Sequence, residues 1–154
     1  MANEMRTADY VELGILYVKE GRYQEAYRSL RQAMLHFGDY RVNEIPYPLL
    51  SYYGLCLVAL GKESTRGLTF CRRAADEAGT RSDYYWNLGK AYLFLNRKPQ
   101  AIKAFQNGLQ IQDDPRILGE LRRLGLRSRP LIPFLARSNV VNRYLGLLRA
   151  RSRS

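Results

Sequence analysis

Cysteine and histidine are almost missing from this sequence: its 154 residues include two cysteines, Cys56 and Cys71, and one histidine, His36. Two thiols cannot build a disulfide framework, and with one imidazole they cannot supply a Cys/His zinc cluster. Nucleophilic catalysis of the Ser-His-Asp kind would have to rest on His36 alone. His36 precedes Phe37-Gly38 near the end of a predicted helix, where an imidazole can meet helix carbonyls, and it has no visible catalytic partner. A glycine-rich phosphate loop and a paired acid–base constellation are also lacking. The expectation is a protein that is not an enzyme and that needs no cofactor or metal.

Long apolar runs are lacking too. The longest uncharged stretch, 45–61, is 17 residues and contains Pro46, Pro48, Ser51 and three tyrosines, short of the roughly 20 apolar residues of a membrane helix. It reads as a buried helix of a soluble domain. The start, Met1-Ala2-Asn3-Glu4-Met5-Arg6, has none of the pattern of a secretory signal, so the expected location is cytoplasmic. The two cysteines are then expected as buried, reduced thiols that pack as small hydrophobes.

Lysine stops at Lys103, and acids almost stop after Asp114. Residues 1–115 hold 15 basic and 13 acidic side chains, whereas 116–154 hold ten arginines and a single acid, Glu120. The formal charge of +11 therefore sits mostly in the last quarter of the chain. An all-arginine bias favours groups that fork onto carboxylates or phosphates, although a solvated tail would show the same composition.

What the sequence does have is an internal repeat. Leu13-Gly14-x-x-Tyr17, Tyr53-Gly54-x-x-Leu57 and Leu88-Gly89-x-x-Tyr92 share a large residue, a glycine and a second large residue three further on. Ala26, Gly67 and Ala101 follow these glycines, and Ala33, Ala74 and Gly108 come seven residues later in every copy. Small residues two turns apart let two helix backbones approach, while Leu30, Cys71 and Phe105 between them fill the seam. Gly21, Gly61 and Asn96 fall between the two helices of each pair, where a left-handed residue ends the first helix. The middle hairpin carries one extra residue in this turn.

Each hairpin resembles the tetratricopeptide repeat, a 34-residue helix-turn-helix unit. The likeness is closest in Tyr85-Trp86-Asn87-Leu88-Gly89-Lys90-Ala91-Tyr92 with Ala101, Phe105 and Pro115, and clear in the first copy through Gly14, Tyr17, Gly21, Tyr23 and Ala26. The middle copy departs most, with Leu57 in place of an aromatic, Gly67 in place of alanine, and the preceding linker 41–46. The resemblance implies an all-α superhelical solenoid of three hairpins, at about 7–40, 47–81 and 82–115, with capping helices, that acts as a non-catalytic scaffold or adaptor for protein partners.

It further implies a concave groove lined by the first helix of each hairpin. The corresponding residues are Val11, Ile15, Val18, Ser51, Leu55, Val58, Trp86, Lys90, Leu93 and Phe94, a mostly apolar set suited to an amphipathic helix or an extended apolar peptide. Some members of the family clamp the carboxylate end of chaperone tails with Lys, Arg and Asn. The places compared here carry Val11, Ile15, Tyr52, Asp83 and Asn87, of which only Asn87 fits, so the resemblance does not extend to that ligand.

Beyond the repeats, Asp114 can cap and Pro115 can open a helix over 115–124, expected to cover the apolar face of the last repeat and to close a domain 1–127. Pro130 and Pro133 make the following stretch an extended connector. A final amphipathic helix is predicted over about 139–150 within an arginine-rich extension, 128–154. Its apolar face has Val140, Val141, Tyr144, Leu145, Leu147 and Leu148, and Arg137, Arg143, Arg149, Arg151 and Arg153 decorate it. Such a helix can fold onto its own chain, mediate self-association or meet another protein. The alternative reading is that the basic tail binds nucleic acid or an anionic membrane, with strong salt dependence.

Overall fold

The structure is a computed structural model that describes residues 6–38 and 42–125. Among the described residues there are seven α-helices and no strand: α1 (Thr7–Lys19), α2 (Tyr23–Leu35), α3 (Tyr47–Ala59), α4 (Ser64–Glu77), α5 (Ser82–Phe94), α6 (Lys98–Ile111) and α7 (Pro115–Arg123). A 3-10 turn, Val42–Glu44, precedes α3. The chain divides into two compact units between Ile117 and Leu118, the first holding α1 to α6 and the start of α7. Within it the pairs α1/α2, α3/α4 and α5/α6 pack most closely, and α3 also meets α1, α2 and α5.

The three turns inside the hairpins are built alike. Gly21, Gly61 and Asn96 have φ of 75°, 61° and 57°. In each turn that residue donates its N–H to the carbonyl three back, and the next residue donates to the carbonyl five back: Arg22 to Tyr17 at 2.9 Å, Lys62 to Leu57 at 3.0 Å and Arg97 to Tyr92 at 2.8 Å. This is the double closure that satisfies the free carbonyls of a helix end, and it requires a left-handed residue. The extra residue of the middle hairpin lies after this closure, so the closure itself is unchanged.

The small residues meet the facing helix. A Cβ on Gly14 would collide with the Leu30 side chain, and one on Gly89 with the Phe105 ring. In the middle hairpin two glycines face each other: a Cβ on Gly67 would stand 2.5 Å from the Gly54 carbonyl oxygen, and one on Gly54 2.5 Å from the Gly67 carbonyl oxygen. Backbone touches backbone there, and this contact explains why Gly67 stands where the other hairpins have Ala26 and Ala101.

Helix α3 is the centre of the core. Every residue from Leu49 to Val58 is buried, as expected of an uncharged helix flanked by other helices on all sides. Cys56 and Cys71 are buried and free. Burial pushes the Cys56 thiol up to about 12 and the Cys71 thiol upward as well, which leaves both as inert packing groups.

At the entry to α7, Asp114 accepts the Arg116 backbone N–H at 2.9 Å, the Arg116 guanidinium at 2.6 Å and the Ser82 hydroxyl at 3.3 Å. Pro115 opens the helix, and Ile117 is buried with its Cδ1 2.6 Å from where a Gly108 Cβ would stand. In the second unit α7 continues to Arg123, which pairs with Glu120 at 3.6 Å, and Gly125 takes a φ of 79° just beyond it. The predicted helix at about 139–150 and the arginines at 137, 143, 149, 151 and 153 lie outside the described residues. Among the described residues no helix is long and apolar enough to cross a membrane.

Candidate interaction site

The first helices α1, α3 and α5 stand side by side because each hairpin stacks on the one before it. The ten residues assigned to the groove separate by accessibility. Ser51 and Leu55 are fully buried, and Val18, Val58 and Trp86 nearly so. They belong to the core between repeats in this structure, because α3 is wedged between α1 and α5. Val11, Ile15, Lys90 and Leu93 are half-buried, and Phe94 is 43% exposed.

The accessible part concentrates on α5. Trp86, Lys90 and Phe94 follow one another at four-residue spacing and so share a helix face. Lys90 Nζ lies 5.8 Å from the centroid of the Trp86 ring and 5.9 Å from that of Phe94. The Arg116 guanidinium lies 5.1 Å from the Trp86 ring, and Tyr23 meets Phe94 edge-on at 5.5 Å. Cationic groups over aromatic faces at these distances are attractive. Two buried polar atoms on α5, Trp86 Nε1 and Asn87 Oδ1, find no hydrogen-bond partner among the described residues.

Beside this strip the structure shows a polar cleft of about 580 Å³ that sequence reading missed, lined by residues that include Lys19, Tyr52, Arg81, Asp83, Asp114 and Arg116. The Tyr52 hydroxyl donates to Asp83 at 3.1 Å, and Arg81 forks onto the same carboxylate at 2.8 and 3.1 Å. Burial first, and then the Asp83 carboxylate, push Tyr52 up to about 12. Burial works against the charged form of Asp114, but the hydrogen bonds and charge of Arg116 outweigh it and hold the carboxyl below its usual range. Three cations and three acids line the cleft, so it is closely balanced and offers paired hydrogen-bonding groups rather than a field of one sign. Tyr52 and Asp83 stand in neighbouring first helices but at different positions of the repeat, two residues before Gly54 and six before Gly89, so no repeat spacing pointed to the cleft.

His36 is exposed at the end of α2 and stands edge-on to Phe37 at 5.5 Å. Among the described residues no group of His, Cys, Asp and Glu is placed to hold a metal.

The pattern of the tetratricopeptide repeat matches residues 10–35 and 82–115, the first and third hairpins described above. Two of the chain's three hairpins therefore carry the tetratricopeptide repeat pattern. The middle hairpin, with its glycine pair and its buried first helix, is the one that the pattern does not match. Twenty-seven solved chains are similar in fold to this repeat protein. The first TPR of Spaghetti, bound to the HSP90 peptide SRMEEVD, is 20% identical with a TM-score of 0.56, covering 77% of this chain and 90% of the other. The second TPR of Spaghetti, bound to the same peptide, is 18% identical with a TM-score of 0.50, covering 71% and 95%. YrrB, described as a TPR protein with an unusual peptide-binding site, is 19% identical with a TM-score of 0.55, covering 79% and 59%. At such identities the likeness establishes the repeat fold. No curated protein sequence matches the chain.

Proposed function

We propose that this repeat protein is a non-catalytic scaffold that holds a peptide or helix of a protein partner against α5 and the adjoining cleft. The observation that carries this reading is Phe94, a large aromatic left 43% exposed beside half-buried Leu93 and Lys90 on α5, the helix whose first turn lines a cleft rich in hydrogen-bonding groups. An apolar side chain of the partner covers Phe94 and Leu93, and its polar groups meet Arg81, Asp83 and Arg116. Solved neighbours of the same fold hold peptides, which supports a peptide as the ligand class without fixing its sequence. Val11 and Ile15 extend the surface toward the first repeat. Leu55, Val18, Val58 and Trp86 support it from beneath.

The test is selection of binding peptides from a random display library against the full chain, followed by titration of a selected peptide. Phe94→Ala is expected to weaken binding tenfold or more, because exposed aromatic anchors commonly contribute about 2 kcal/mol, and to leave helicity unchanged. Trp86 is unsuitable for this test, since truncating a buried ring also costs fold stability. Equal affinity of wild type and Phe94→Ala would overturn the assignment.

A further inference from the structure

The repeats differ in one respect that concerns the leading end of the array. In α5, the face toward the preceding hairpin is in use: Asn87 donates to the Ser51 hydroxyl at 2.9 Å, and Tyr92 accepts Arg72 Nε on its hydroxyl at 2.8 Å. In α3, Tyr53 stacks on Tyr27 of the preceding hairpin at 5.7 Å. At the centre of this face stand Cys56 and Ala91, both fully buried. Their counterpart in α1 is Leu16, two residues after the glycine in each copy, and it is 50% exposed. Around it Leu13 and Tyr17 are half-buried and Glu12 is exposed.

The face of α1 is therefore a stacking surface with nothing stacked on it among the described residues, and the exposed Glu12 leaves a carboxylate at its edge. Glu12 lies beside Leu16, and Asp9 and Glu20 stand at the two ends with partly exposed carboxylates whose ion pairs to Arg6 and Arg22 are surface pairs of small strength. The fitting occupant is an apolar helix carrying arginines. Within the array itself an arginine makes such a contact at Tyr92, where Arg72 lies over the ring at 5.6 Å and bonds the hydroxyl; at the equivalent Tyr17 the chain's own Arg22 lies over the ring at 4.4 Å, so an incoming arginine is left the exposed Glu12 carboxylate.

We propose that this face receives residues 139–150 of a second copy of the chain, joining copies head to tail. That segment combines Val140, Tyr144, Leu147 and Leu148 at helical spacing with Arg143 and Arg149. In a row of copies the segment of one chain meets the leading face of the next. A heterologous contact of this kind does not close on itself at two copies, and mass grows with concentration.

Sedimentation equilibrium of the full chain tests this. Wild type is expected to show a mass that rises with concentration beyond that of a dimer. Leu16→Glu, half-exposed and so tolerated by the fold, is expected to remain monomeric over at least a tenfold higher concentration, and so is Leu147→Glu/Leu148→Glu. Glu12→Arg, at an exposed position, is expected to weaken assembly in the same direction. The decisive result is the mixture: Leu16→Glu retains an intact segment and Leu147→Glu/Leu148→Glu an intact face, so together they should form a 1:1 heterodimer and go no further. A wild type that is monomeric throughout, a Leu16→Glu protein that assembles like wild type, or a mixture that fails to pair would each overturn the proposal.

Discussion

Glycine has two different roles in the middle hairpin, and the difference fixes what substitution should do. Gly61 is needed for its left-handed backbone, whereas Gly54 and Gly67 are needed because each faces the carbonyl of the other. Gly67→Ala, which would bring this hairpin into line with the other two in sequence, is expected to destabilise the protein by about 1 to 3 kcal/mol through overpacking. Gly119→Ala, in α7 where an added Cβ meets nothing within 4 Å, should instead stabilise its helix by about 0.5 to 1 kcal/mol. Urea denaturation of the two variants separates these effects, and equal shifts of the same sign would show that the glycine contact is not what sets the spacing of α3 and α4. The small-residue positions were legible from the sequence because they recur at fixed intervals. That Gly67 marks the closest approach was not, since a departure from a pattern gives no hint whether it relaxes or tightens a contact.

At the scale of the element, helix ends were more legible than helix faces. The left-handed residues Gly21, Gly61 and Asn96 and the Asp114-Pro115 start of α7 are local signals, and each stands where spacing placed it. The cleft was not legible, because Tyr52, Asp83, Asp114 and Arg116 come together only through the stacking of hairpins, and none of them repeats as a type. Asp114 is the most consequential of these residues. Its carboxylate caps α7, pairs with Arg116 and holds Ser82 of α5. Since its folded-state value is depressed, its contribution is complete above the unfolded aspartate value of about 3.9 and is lost as pH falls through the folded value. Asp114→Asn should therefore cost about 1 to 2 kcal/mol at neutral pH, typical of a lost cap with a charged hydrogen bond. The cost should shrink below about pH 4. Thermal melts of both proteins between pH 3 and 7 check this, and a pH-independent difference would mean that charge at Asp114 contributes nothing.

For the whole repeat unit, stability is a sum over hairpins and the interfaces between them. The middle hairpin has two such interfaces and each outer hairpin has one, and the difference is visible in burial: α3 is enclosed from Leu49 to Val58, whereas in α1 only Gly14 and Val18 are buried. The same asymmetry explains why groove positions read by family likeness divided as they did. Position along a first helix predicts which way a side chain faces, but enclosure by both neighbours decides whether that face is open, and only the flanking hairpins leave theirs partly open. Local opening should then be cheapest at α1 and dearest at α3. Native-state hydrogen exchange in dilute solution, where head-to-tail contacts are absent, is expected to show the amides of α3 exchanging slowest, near the global unfolding limit, and those of α1 faster by tenfold or more. Raising the protein concentration should slow α1 selectively, because stacking a second copy on its leading face supplies the missing interface, while α3 should not change. If α1 is already as protected as α3 in dilute solution, its leading face is closed without any partner, and the enclosure of the central hairpin is not what orders stability along the array.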